Sequence, residues 1–229
     1  MRRHVRLAAI VLVLAAAAAT GLAAVTSCQG WNLDIDAAMD VVGIAPGLIV
    51  GEAGAGDGYF TLPMARRVGP SGAVYANDIS RRALGSLAAS AKREGLANIQ
   101  TVEGAVDDPL FPRRDLDLIV IVHAFHDFSQ PVEWLVNAQK YLRPGGTVAI
   151  IDRDPGQGAE SHFWTRERIL GHAASAGLEM TKLVDDVSKH LIVVLKPRAS
   201  PPNYTRRSRP LSHNHVAGAG FSQRRSGSG

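Results

Sequence analysis

At 229 residues, 46% hydrophobic and 20% charged, the chain is long enough for one domain with a full core and too short for two with their linkers. Its formal charge of +4 sits at its ends: residues 1–30 hold Arg2, Arg3 and Arg6, and residues 197–229 hold six further arginines, with no acid in either segment, so removing those nine leaves −5 over the middle. An acidic centre between basic ends argues against a nucleic-acid-binding domain.

Residues 1–30 open with Arg2, Arg3, His4 and Arg6 and continue with 19 uncharged residues from Leu7 to Val25. A charged and then apolar layout is that of an export leader. At about 1.5 Å per residue it also suffices to cross a hydrocarbon core of about 30 Å. The ending Val25-Thr26-Ser27-Cys28 resembles a bacterial lipobox, with the chain's single cysteine at the lipidated position, although an uncleaved signal anchor looks much the same. Either form puts residues 1–28 in contact with a membrane and the protein in the cell envelope, exported, anchored or a lipoprotein. The competing reading is a buried N-terminal helix in a cytoplasmic protein. A single cysteine forms no internal disulfide, so pairing says nothing about redox compartment.

Trp31–Gly43 predicts a short amphipathic helix, with Leu33, Ile35, Met39 and Val42 apolar and Asp34, Asp36 and Asp40 polar. Leu48, Ile49 and Val50 are strand formers with no polar partner among them, which suits a strand buried on both faces. Glu52 stands at its carboxyl end, and Gly54, Gly56 and Gly58 place three glycines in five residues. Glycine turns the backbone through positive φ and approaches a ligand with no Cβ in the way. A helix over Phe60–Val68, with Pro63 in its first turn, aims free N–H groups at the same spot. Strand, glycine loop and helix form the cofactor crevice of an open α/β sheet. The dinucleotide fingerprint begun at Gly54, however, needs glycine where Tyr59 stands.

Ala73–Ala76 predicts a second strand, ended by Asn77-Asp78. Asp78 lies 20 residues beyond Gly58, the interval at which an acid on a second strand's tip reaches a ribose, where a carboxylate accepts from both hydroxyls. Its other reading is a helix N-cap before Ser80–Glu94. Ser80–Gly95 predicts a helix, Asn98–Val102 a third strand and Glu103–Pro109 a loop at its tip. Asp115–Val122 is the most apolar strand and ends on His123-Ala124-Phe125-His126-Asp127-Phe128. That hexapeptide is the candidate for chemistry, because it falls beside the first strand at the carboxyl edge and histidine takes a proton near neutral pH. His123 and His126 are both candidates for a general base, with Asp127 as partner, against a role in positioning alone.

Pro131–Leu142 predicts a helix stopped by Arg143–Gly146, followed by a fifth strand whose tip releases Asp152, Arg153 and Asp154. Arg153 reads as a solvated loop arginine or as a clamp for a substrate anion. Thr165 caps a helix to Ala176, and Gly177 ends it. Glu179–Val184 and His190–Lys196 form a closing hairpin across a loop at Asp185–Lys189. From Pro197 onward periodicity is lost, and residues 198–229 read as a disordered basic tail.

The pattern from Glu52 to Gly58, E-x-G-x-G-x-G, resembles motif I of the class I S-adenosylmethionine-dependent methyltransferases. The run LRPGGTVAIID resembles the same family's post-helix motif, and the resemblance covers Leu48 to Pro197 with its motifs in the correct order. It implies an α/β, Rossmann-like sheet of seven strands, order 3-2-1-4-5-7-6 with strand 7 antiparallel and helices on both faces, over residues 31–197. It implies S-adenosyl-L-methionine as cofactor, with Glu52, Gly54, Ala55, Gly56 and Gly58 at its methionine end, Asp78 on the ribose and Ile79 on the adenine face. Family members place an Asp directly after the glycine at the third strand's tip. Here Ala105 stands there, so the backbone near Val106 and Asp107 is expected to read the base. Catalytic roles fall to His126, His123 and Asp127. The short connections after strands four and five suit a small-molecule methyl acceptor, covered by the N-terminal helix or by the second subunit of a homodimer. The implied reaction is in-line methyl transfer to O, N or C. The alternative is an envelope protein that binds the cofactor and transfers nothing, since export separates the domain from its methyl donor.

Overall fold

The computed structural model describes residues 33–159 and 162–199. The leader read at residues 1–30, and the basic tail beyond residue 199, lie outside the described residues.

Five strands run parallel: β1 (Ile49–Ala53), β2 (Ala73–Asp78), β3 (Ile99–Glu103), β4 (Leu116–Val122) and β5 (Leu142–Arg153). β6 (Leu178–Val187) and β7 (His190–Pro197) complete a seven-stranded sheet of order β3-β2-β1-β4-β5-β7-β6, with β7 antiparallel to both neighbours. This is the expected order and the expected reversed strand.

The sheet is apolar on both faces because alternate residues of each central strand point opposite ways. Leu118, Val120 and Val122 of β4 join Val50, Val74, Ala149 and Ile151 on one face, covered by Met39 and Val42 of α1 (Ile35–Val42) and Met64 and Val68 of α2 (Thr61–Val68). Ile119 and Ile121 join Val148, Ile150 and Val193 on the other. There α4 (Pro131–Ala138) brings Trp134 and Leu135, and α5 (Arg166–Ser175) brings Ile169 and Ala173. α3 (Arg81–Arg93) packs Leu87 against Ala55 and Ala76. Each fully buried aliphatic side chain contributes about 1.5–3 kcal/mol, so β4, with five consecutive buried residues from Leu118 to Val122, anchors the core.

Capping side chains set where α1, α3 and α5 begin. Asp34 Oδ1 accepts the Ala37 N–H at 3.0 Å, Ser80 Oγ the Ala83 N–H at 3.3 Å, and Thr165 Oγ1 the Arg168 N–H at 3.4 Å. Each cap contributes about 1 kcal/mol. Ser80, not Asp78, is therefore the cap of α3, and Asp78 ends β2. α1 lies over β6 and β7, fixed by Ser188 Oγ accepting the Asp34 N–H at 3.1 Å and by Arg67 of α2, which pairs with Asp36 at 2.7 Å and with Asp40.

Two boundaries differ from the sequence expectation. The helix predicted over Pro131–Leu142 ends at Ala138, passes through a 3₁₀ turn at Gln139–Tyr141, and the expected stop Arg143–Gly146 is taken into β5. A bulge makes room for it: β5 pairs Leu142 with Leu116 but Thr147 with Leu118. The loop expected at Asp185–Lys189 shrinks to Ser188-Lys189, at φ 51° and 61°, the two-residue turn whose twist matches a hairpin. Among the described residues no helix is long and apolar enough to cross a membrane.

Candidate functional site

The carboxyl ends of β1, β2 and β4 meet at the glycine loop. Gly54, Gly56 and Gly58 all have positive φ, at 71°, 55° and 104°. At Gly54 space matters as well as φ, since a Cβ there would lie 2.4 Å from Ala124 Cβ. The first loop thus touches the turn after β4 with nothing between them. Asp78 ties the loop to β2: its Oδ2 accepts the Gly56 N–H at 2.9 Å and its Oδ1 accepts the Ser80 N–H at 2.8 Å. A carboxylate offers about four acceptor sites, so Asp78 retains capacity for two further donors.

Two clefts flank this loop and share Gly54 and His123. The first, of about 360 Å³, is lined by Gly54, Asn77, Asp78, Ile79, Ala105 and Val106, with Ala124, Asp127, Phe128 and Trp134 across from them. Ile79 and Val106 are 63% and 49% exposed, apolar side chains left uncovered beside an acid. That is the composition of a slot for a flat ring next to a pair of hydroxyls. The second cleft, of about 350 Å³, is lined by Glu52, Ala55, Gly56, Tyr59, Phe60 and Val122. Glu52 is buried at its base and accepts from Thr61 Oγ1 at 2.5 Å. Burial pushes its carboxyl up to about 8, against the Thr61 hydrogen bond and with help from the charge of Asp78.

Farther along the same edge, the tips of β4, β5 and β7 collect histidines. His123 adopts φ 51°, a conformation that costs a non-glycine residue about 1–3 kcal/mol, with its N–H held by Ile151 O at 2.9 Å. Its ring lies 4.8 Å from that of His190 and stacks 6.1 Å from Tyr59. Burial, with His190, His126 and Arg153 nearby, depresses its pKa to about 3, so His123 is neutral at physiological pH. His126 sits in the 3₁₀ turn Phe125–Asp127, with Nδ1 2.7 Å from Asp152 Oδ2. Burial works against its charged form, but the hydrogen bond and charge of Asp152, with the charge of Asp127, outweigh that and raise its pKa. Asp127 Oδ2 stands farther off, 3.6 Å from His126 Nε2.

Of the residues expected from sequence, Gly54, Asp78, Ile79, Val106, His123 and Asp127 converge on the first cleft, and Glu52, Ala55 and Gly56 on the second. Gly58 lines neither; its missing Cβ makes room for Leu87, which would lie 2.6 Å away. Asp107 is not among the lining residues, and its carbonyl is taken by Asn137 Nδ2 at 2.7 Å. His126 is likewise absent from both linings, beneath Phe163 at 4.5 Å between ring centres. Asn77, Phe128, Trp134, Asp152 and His190 had no assigned role in the site. Asn77 spans β3 and its loop through Val102 O and Pro109 O, a bridge without a local sequence signal.

A family model described as a methyltransferase domain matches residues 50–146. Nocamycin O-methyltransferase of Saccharothrix syringae is 27% identical over 160 residues, 70% of this chain and 53% of that protein. The rRNA 2'-O-methyltransferase fibrillarin of Debaryomyces hansenii is 32% identical over 164 residues, 68% of this chain and 48% of that protein. The chain thus spans about half the length of these curated relatives. Among solved structures, a SAM-dependent methyltransferase from Aquifex aeolicus superposes with a TM-score of 0.65 at 21% identity, covering 71% of this chain and 88% of that one.

Proposed function

We propose that this chain, by fold and domain match a class I Rossmann-like S-adenosylmethionine-dependent methyltransferase, binds S-adenosylmethionine across the two clefts and transfers its methyl group to a small molecule. The observation that carries the reading is the first cleft: an acid at the tip of β2 with spare acceptor capacity, between two exposed apolar side chains and above a glycine loop. The residues fit the cofactor. Asp78 suits the ribose hydroxyls, Ile79 and Val106 the adenine faces, and the loop from Glu52 to Gly58 the methionine end.

When bound, the cofactor supplies an electrophilic methyl group on sulfur. What the chain adds is alignment, which accounts for much of the rate in such transfers. His123 borders both clefts and stays neutral, so it places no positive charge beside a sulfonium. Phe128 and Trp134 give the first cleft an apolar wall across from Asp78.

A small-molecule acceptor is supported by the short connections after β4 and β5, residues 123–130 and 154–165, which carry no separate domain. One relative is named for nocamycin and another for rRNA. The charge of −5 that remains once the nine arginines of the two ends are set aside favours the first kind of acceptor. On the same footing, the leader supports membrane contact through residues 1–28 and an envelope location. Recovery of the entire native protein in the cytosolic fraction, with none in the membrane or exported fractions, would exclude both.

Calorimetry on the full chain with S-adenosylmethionine and S-adenosylhomocysteine tests the reading. Both are expected to bind, and Asp78→Ala to weaken binding by about 10–100-fold, the worth of hydrogen bonds to a charged group. Absence of binding at millimolar ligand would sink the reading.

A further inference from the structure

At the base of the second cleft one acid has no counter-charge. Glu52 is 2% exposed, near the end of β1, and the parallel neighbours β2 and β4 set only Ala76 and Val120 beside it. Its Oε2 accepts from Thr61 Oγ1 of α2 at 2.5 Å. Among the described residues it joins no ion pair, so no lysine, arginine or histidine nitrogen stands within 4.0 Å of it. The titratable groups that face it are Asp78 at the tip of β2, and Asp57, Tyr59 and His123, which line the same cleft. None of these brings a positive charge, since His123 is neutral at physiological pH. A carboxylate taken out of water with no cation beside it is disfavoured, so the free protein keeps the proton on Glu52 and its pKa lies at about 8.

We propose that Glu52 selects a ligand carrying an ammonium group and gives up its proton to solvent as that group arrives, so that binding of the methyl donor, and of the product it leaves, releases one proton. The proposal rests on the methyl-transfer reading above and adds a charge requirement to it. A neutral carboxyl attracts a cation weakly, whereas an ionised one attracts it strongly in a cleft walled by the buried side chains of Phe60 and Val122. The O–H bond of the carboxyl breaks, its electron pair stays on the carboxylate and the proton passes to buffer. The ammonium keeps all its hydrogens, and Thr61 goes on donating to the oxygen it already holds. A nucleoside without an ammonium has nothing to offset the loss of that proton, and leaves Glu52 neutral.

The test is calorimetry of the full chain in two buffers of different ionisation enthalpy, whose difference in heat counts the protons released. S-adenosylhomocysteine, which carries the ammonium, should release roughly one proton at about pH 6.5, where a carboxyl titrating near 8 is still almost wholly protonated. 5′-Methylthioadenosine, a related nucleoside thioether without the amino acid, should bind and release none. Glu52→Gln should release none with either ligand. Its affinity for 5′-methylthioadenosine should stay within about twofold of the unmodified chain, which also shows that the variant folds. Affinity of the unmodified chain for S-adenosylhomocysteine should rise roughly tenfold from pH 6 to pH 7, as one released proton requires, and Glu52→Gln should lack that rise. Independently of the heats, infrared difference spectra should show a protonated carboxyl band lost when S-adenosylhomocysteine binds, and no such loss in Glu52→Gln. No proton released, a release that survives in Glu52→Gln, or an equal release with 5′-methylthioadenosine would each overturn the counter-ion role and leave cofactor binding standing. Binding of neither ligand would overturn the methyl-donor reading itself, and the counter-ion role with it.

Discussion

At the tips of β1, β2 and β3 the site is made of backbone: three glycines at positive φ, a loop N–H on Asp78, and two apolar side chains left exposed. At the tips of β4, β5 and β7 it is made of packed side chains, the buried Asp152 and His190 and the half-buried His123 and His126. The first region fixes a shape and suits a ligand whose form never varies. The second packs imidazoles against one another and against a buried carboxylate. Glu52 of the first and two of the three imidazoles of the second respond to pH with opposite signs, His126 with its raised pKa siding with Glu52. Glu52 is destabilised by rising pH, while His123 and His190 are destabilised by falling pH.

The largest perturbation is at the joint between the regions. Gly54→Val combines a strained φ of 71° with a Cβ 2.4 Å from Ala124, and should destabilise the fold by about 3–4 kcal/mol and abolish cofactor binding. Urea midpoints and calorimetry would show it; a well-folded, binding-competent variant would mean the two loops can part.

Acid sensitivity of the imidazole region comes next. The folded pKa of His123, about 3, lies below its ordinary 6.5, so the associated stability is present above 6.5 and is lost as pH falls toward 3. Replacing it by Gln should remove about 2 kcal/mol of the loss between pH 6.5 and pH 4, seen as a smaller drop in melting temperature.

Base sensitivity of the donor region is its mirror image. Glu52 is raised from 4.5 to about 8, so its contribution is full below 4.5 and is lost as pH rises through 8. Glu52→Gln should flatten that loss, seen as a smaller drop in stability between pH 5 and pH 8 by denaturant titration. Smallest is Ser80→Ala, which removes only the α3 cap, costs about 1 kcal/mol or less, and should leave cofactor affinity unchanged on calorimetry.

The same contrast explains what the sequence made legible. The donor region depends on local order, with apolar run, acid, spaced glycines and the Asp78 interval all within one strand–helix–strand unit, so the residues that line its clefts, Gly58 and Asp107 apart, could be picked out from sequence. The other region depends on register. His126 and Asp152 meet across 26 positions, while Asp127, adjacent in sequence, looked the natural partner and stands at 3.6 Å. The signal that points to Asp152 is topological: once β4 and β5 are paired in parallel, their tip residues are neighbours. Asp107 failed to reach the cleft lining for a similar reason, since its carbonyl serves Asn137 of a helix far along the chain.

The fastening of α1 has a consequence for handling the protein. Its start is bonded to Ser188, in the hairpin turn beside His190 and hence at the same edge as the clefts, whereas β7 runs away from that edge to end at Pro197. The two ends of the described chain therefore have opposite polarity relative to the ligand. A support coupled beyond Pro197 should leave the clefts facing open solution, whereas one coupled ahead of Leu33 would press the ligand-binding edge toward its own surface.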